Sequence, residues 1–204
     1  EWIGIVPIFR IQDAGKEGLK KNDEAYRRVN QLLKKDHKII VFAEGLCIQE
    51  RRLRPLKKGV ARMVFGAHEF LDHDDLVVVP VGVNYSKADK IRSTLFYNVG
   101  EPIHVRDFEE DYQKNEAKAY NKFLQVLEPR MKALITHIDN HEYDEAVPQI
   151  ELFLKRKMLK EKGWSHKDLE KDFLINSKIT EMVNTAAREN KELLDEVKRK
   201  LNAY

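Results

Sequence analysis

The stretch Lys38-Ile39-Ile40-Val41-Phe42-Ala43-Glu44-Gly45 sets an unbroken apolar run ahead of a carboxylate and a glycine. A run that short and that apolar predicts a parallel strand covered on both faces. Upstream, Trp2–Phe9 is apolar and β-branched and predicts a second strand. Between them, Asn22-Asp23-Glu24 predicts a capped helix to about Lys35, with Ala25, Val29, Leu32 and Leu33 on one face. Downstream the spacing predicts a helix over Gly59–Leu71, with Val60, Met63 or Val64, Ala67 and Phe70 or Leu71 turned inward. Leu76–Tyr85 reads as the next buried strand and Leu95–Val99 as another, closed by Gly100-Glu101-Pro102 and extended by Ile103–Val105. Strand, helix, strand, helix, strand predicts an α/β fold with a largely parallel sheet flanked by helices.

From about Asp107 the pattern turns helical. Glu116–Ile138 is amphipathic, with Pro129 expected to kink or break it. Glu142–Lys160, a short Lys167–Leu174 helix capped by Ser165, and Ser177–Leu201 follow the same period. The expected organisation is an α/β domain over residues 1–140 and a helical C-terminal extension over 141–204.

With 204 residues and 42% apolar content the chain is long and apolar enough for a packed core. Residues 1–106 carry an excess of five positive charges, and residues 107–204 an excess of two negative ones. The basic excess therefore lies in the half that holds the motifs below. The single cysteine, Cys47, has no internal disulfide partner, which fits a reducing compartment. No apolar run approaches the roughly 18–20 residues that span a bilayer. Glu1-Trp2-Ile3 opens inside a predicted strand, so further sequence is expected upstream of Glu1.

Glu44-Gly45 ends an apolar strand, and open α/β sheets place their sites at the carboxyl ends of strands. Taken alone, the pair reads as a turn with an exposed carboxylate. It is followed, however, by Arg51, Arg52, Arg54, Lys57, Lys58 and Arg62, with no acid among them. Such a loop suits phosphate neutralisation, because arginine presents a planar, bidentate fork. A solvated basic face or a nucleic-acid patch is the competing reading. Arg10 closes the first predicted strand, on the same side of the sheet as Glu44.

Gly4–Arg10, Phe42–Gly45 and Val79-Pro80-Val81, in this order, resemble three of the four sequence blocks of the glycerol-phosphate and lysophosphatidate acyltransferase superfamily. Arg54–Gly59 and Gly100–Ile103 are similar to its connecting stretches, and the resemblance covers about residues 1–106. It implies a glycerolipid acyltransferase-like fold and transfer of a fatty acyl group from a thioester, acyl-CoA or acyl carrier protein, to a lysophospholipid or glycerol phosphate in phospholipid synthesis. That thioester is a co-substrate; no bound cofactor and no metal are implied. In the roles it implies, Arg10 binds the acceptor phosphate, Glu44 holds the glycerol part, and Gly45 permits close approach. The sequence departs from the pattern at Ala43, where the family has proline, and at Leu46-Cys47, where it has Thr-Arg. Arg51, Arg52 or Arg54 would then supply the phosphate contact.

The first block, His-x4-Asp, supplies the general base in this family, and none of the seven histidines here has an aspartate five positions on. It is expected upstream of Glu1, so the chain alone is expected to be inactive. The implied setting is peripheral, on the cytoplasmic side of a membrane, with Leu152–Lys160 as the candidate contact. Two other readings are a non-catalytic acyltransferase-like module that binds lipid or a partner, and a basic nucleic-acid-binding domain. Against the last, the arginines cluster in one loop without interleaved aromatics.

Overall fold

The computed structural model describes residues 4–9, 15, 22–45, 48, 50–72, 76–86, 91–165 and 167–202. These residues fold as two compact units, each gathered from separate stretches of chain: residues 1–46, 55–79 and 102–127 in the first, and 47–54, 80–101 and 128–204 in the second.

The first unit is built around helix α1 (Asn22–Leu33) and helix α2 (Lys58–Phe70). Their apolar stripes meet through Ala25 and Val29 on one side and Val60, Met63 and Ala67 on the other, all buried. Phe65 of α2 is the centre of an aromatic cluster. Its ring stacks on Tyr112 at 4.8 Å and meets Phe123 edge-on at 5.8 Å and Phe108 at 6.4 Å. Those partners come from the 3-10 turn Val105–Phe108 and from helices α3 (Glu109–Lys114) and α4 (Glu116–Ala133). Edge-on ring packing adds about 0.5–1.5 kcal/mol per pair beyond the area buried. A two-residue ladder, β1 (Val77–Val78) against β4 (Ile103–His104), completes this unit.

The second unit carries a hairpin, β2 (Val81–Tyr85) paired with β3 (Leu95–Val99). Its helices are α5 (Ala146–Glu161), α6 (Leu169–Glu189) and α7 (Lys191–Asn202). Ile138, Val147, Ile150, Ile175, Ile179 and Leu194 form their common core. Phe96 of the hairpin packs on Phe173 at 5.5 Å. Gly82 lies so close to the end of α4 that any Cβ there would run into the Leu134 carbonyl. Asn84, two residues along the same face, donates to the Leu134 oxygen (2.9 Å) and accepts from Thr136 N–H (3.1 Å).

The largely parallel sheet flanked by helices that the sequence predicts is not found among the described residues. Both ladders among the described residues are two-stranded and antiparallel, and the bulk of the chain is helical. The connection from β2 to β3 is too short for the dozen or more residues of a parallel crossover, so these strands return as a hairpin. Residues 4–9 and 37–42 run without ladder assignment, and Ile40 and Phe42 are 86% and 81% exposed. The apolar character that predicted doubly covered strands thus belongs to segments that, among the described residues, have no strand beside them. The hairpin too is one-sided: Val81, Tyr85, Tyr97 and Val99 face outward from it.

Two helix boundaries also move, for local reasons. Asp168 and Asn190 cap the two helices that follow them, accepting from Lys171 N–H and Leu193 N–H. The break therefore falls at Asn190 and not between Leu174 and Ser177. Pro129 sits inside α4, which continues to Ala133. We predict that Gly82→Ala destabilises the fold by about 2 kcal/mol or more, because the obstacle is backbone and cannot rotate away. Denaturant midpoints measure this, and Gly66→Ala, where a Cβ meets nothing within 4 Å, is the control.

Candidate functional site

Phe42–Gly45 forms a tight turn. Gly45 N–H donates to the Phe42 carbonyl (3.1 Å), and Lys57 N–H donates to the Ala43 carbonyl (3.1 Å), tying the turn to the start of α2. Gly45 has φ of +65°, the left-handed region that favours glycine, and a Cβ there would touch Lys57 Cγ at 3.6 Å. The turn holds Glu44 at its corner, half-buried.

In the same unit Asn22 does not act as the helix cap its position suggests. Its side-chain amide lies against Phe9, accepting from Phe9 N–H and donating to the Phe9 carbonyl, both at 2.8 Å. This is the pairing a neighbouring strand would make, supplied by one side chain that is 6% exposed. Asn22 so fixes the residue before Arg10. Arg10 itself lies outside the described residues, as does Cys47. Nothing in the local sequence marks Asn22 for this, since the contact spans 13 residues.

Arg51, Arg52 and Arg54 belong to the second unit, and Glu44 and Gly45 to the first. Each arginine meets a carboxylate. Arg51 forms a two-pronged pair with Glu151 at 2.6 and 3.0 Å and also reaches Thr136 Oγ1 at 3.2 Å. Arg52 bridges Asp144 and Glu50, and Arg54 reaches Glu50 at 2.8 Å. Main-chain bonds add to this: Ile138 N–H donates to the Arg51 carbonyl at 2.7 Å. Leu53 N–H donates to His137 Nδ1 at 2.9 Å, which assigns the ring proton to Nε2, 3.4 Å from Asp139. Burial lowers the His137 pKa, as does the nearby Lys132 and, less strongly, Arg52; Asp139 opposes them. No group of three or more His, Cys, Asp or Glu side chains suited to a metal ion occurs among the described residues.

Residues 2–84 match the Acyltransferase family profile. Over this segment the chain is similar to the glycerol-phosphate acyltransferases. Glycerol-3-phosphate O-acyltransferase 1 of Saccharomyces cerevisiae is 35% identical over 80 residues, 39% of this chain and 10% of that protein. Glycerol-3-phosphate O-acyltransferase 2 of the same yeast is 31% identical over 107 residues, 52% of this chain and 14% of that protein. The chain thus spans a small part of the length of these relatives. No solved structure matches it. The acyltransferase segment takes in Arg10, the Phe42–Gly45 turn and the arginine loop, whereas helices α4 to α7 lie beyond it.

The His137 contact carries a pH signature. Its folded pKa lies below the ordinary imidazole value near 6.5, so the unfolded chain binds the extra proton first as pH falls. The stability it contributes is complete above pH 6.5 and declines below that, levelling off beneath the folded pKa. We predict that thermal midpoints fall between pH 7.5 and 5.5, and that His137→Gln removes part of that slope. An unaltered slope in the variant would contradict the assignment.

Proposed function

We propose that this chain is part of an enzyme that transfers a fatty acyl group from a thioester donor, acyl-CoA or acyl carrier protein, to glycerol phosphate or a lysophospholipid. The observation that carries the reading is the Phe42–Gly45 turn: within a segment of acyltransferase sequence, a left-handed glycine and two main-chain bonds hold one carboxylate at a fixed corner. In the reaction, the acceptor hydroxyl oxygen attacks the thioester carbonyl carbon. A carbon–oxygen bond forms, the carbon–sulfur bond breaks, and the hydroxyl proton passes through a general base to the departing thiolate. The base in this reading comes from a His-x4-Asp block that precedes Gly4 in the family order.

In this reading Glu44 accepts hydrogen bonds from the acceptor's hydroxyls, Gly45 lets the ligand come close, and Arg10 binds the phosphate. Arg51, Arg52 and Arg54 would have to exchange carboxylate partners to bind phosphate, which ranks them behind Arg10. The same pairing weakens the field a nucleic-acid backbone would need. The enzyme would work at a membrane surface, on its cytoplasmic side.

The test is acyl transfer by the full-length protein to glycerol 3-phosphate and to a lysophospholipid. Glu44→Ala and Arg10→Ala are expected to lower kcat/KM about tenfold to a hundredfold, the worth of one or two charge-assisted hydrogen bonds. Asn22→Ala, which frees Phe9, is expected to raise KM for the phosphorylated acceptor by several-fold. Unchanged kinetics in both Glu44→Ala and Arg10→Ala refute the assigned roles.

A further inference from the structure

Helix α5 buries Ala146, Val147, Ile150 and Leu159 in the core of its own unit. Its opposite side carries Leu152 and Phe153, two large apolar residues 79% and 58% exposed. Leu152, Arg156 and Lys160 follow one another at four-residue steps, and Phe153 lies three residues before Arg156. At 100° per residue all four fall within one face about 100° wide. Among the described residues neither Arg156 nor Lys160 makes an ion pair, and Lys157 beside them reaches Glu161 only at 3.9 Å. Just past the helix, Lys162 lies over the Trp164 ring at 4.8 Å.

The arrangement is polarised along the helix: apolar side chains on its N-terminal half, cations on the next two turns. An aqueous surface gains nothing from Leu152 and Phe153 side by side, and the core has already taken its stripe from the other side. A helix lying in a lipid headgroup layer uses both parts. Leucine and phenylalanine enter the acyl boundary, while arginine and lysine stems stay apolar and lift their charges to lipid phosphates.

We propose that this face of helix α5, formed by Leu152, Phe153, Arg156 and Lys160, docks the protein onto an anionic lipid surface. It deepens the membrane setting of the proposed function yet stands apart from catalysis, since a module without acyltransferase activity would dock in the same way. No helix among the described residues is long and apolar enough to cross a membrane, and this one would lie along the surface. Two apolar anchors and two cations make the contact reversible and sensitive to salt.

Sedimentation of the full chain with vesicles of phosphatidylcholine alone, or with phosphatidylserine added, tests this. Binding is expected only with the anionic lipid and to weaken as salt rises. Leu152→Ser with Phe153→Ser should lower the partition coefficient about tenfold or more, and Arg156→Gln with Lys160→Gln should lower it several-fold. All four positions are exposed or half-exposed, and circular dichroism of each variant checks that the fold is kept. Phe153→Trp gives a local readout: a blue-shifted emission relative to wild type when anionic vesicles are added. Equal binding to both vesicle types, unchanged partition in both double variants, or an unshifted emission from the Phe153→Trp variant overturns the proposal. Acyl transfer to water-soluble glycerol 3-phosphate, measured in parallel without vesicles, separates failure of docking from failure of the catalytic reading.

Discussion

Three asparagine side chains do in this protein what a neighbouring strand does in a sheet. Asn22 closes on both main-chain groups of Phe9, and Asn84 bridges the Leu134 carbonyl and Thr136 N–H. Asn184 accepts from Asp139 N–H at 3.0 Å and donates to the His137 carbonyl at 2.8 Å. A carboxamide has one acceptor and one donor side, so it matches the N–H and C=O of extended backbone with a single residue. The need is strict, because a main-chain group taken from water without a partner costs about 1–3 kcal/mol. In the second unit, Asn84 and Asn184 hold residues 134–139 in turn, and Arg51 and His137 then join the arginine loop to that segment. The geometry of that loop rests on the clamps.

The clamps explain why the fold was only partly legible. Helical segments announce themselves through the 3.6-residue period, and α1, α2, α4 and α5 can be read from their apolar stripes. Sheet direction has no such local mark. The run from Lys38 to Ala43 is apolar enough for a doubly covered strand, yet that composition does not say which chain lies beside it, and among the described residues none does. The asparagine contacts span between 13 and 52 residues and leave no trace in the flanking sequence. Asn22 is misleading in a particular way: it stands at a helix start, where a capping role is the local expectation, and tertiary contact claims its side chain instead.

The candidate site divides along the same line. Glu44-Gly45 was readable as a turn because glycine after an apolar run needs only local geometry, and the observed φ at Gly45 is of that kind. The arginine loop looked like an uncommitted cluster of charge because Glu151 and Asp144 lie 100 and 92 residues away. Their pairing gives the loop a structural task that the spacing of cations alone does not reveal. Leu152 shows the reverse case: the sequence marks Leu152–Lys160 only as a candidate contact, and the exposure of Leu152 and Phe153 makes the basic, apolar face visible.

If side-chain amides hold these segments, their effect must be local to the amides they cover. Native-state hydrogen exchange at Phe9, Thr136 and Asp139 measures that directly, in the wild type and in Asn22→Ala, Asn84→Ala and Asn184→Ala. Each variant should lose protection at its own partner amide by more than the change in global stability accounts for, while the other two amides follow the global change. Protection that persists at the partner amide of each variant would contradict the account.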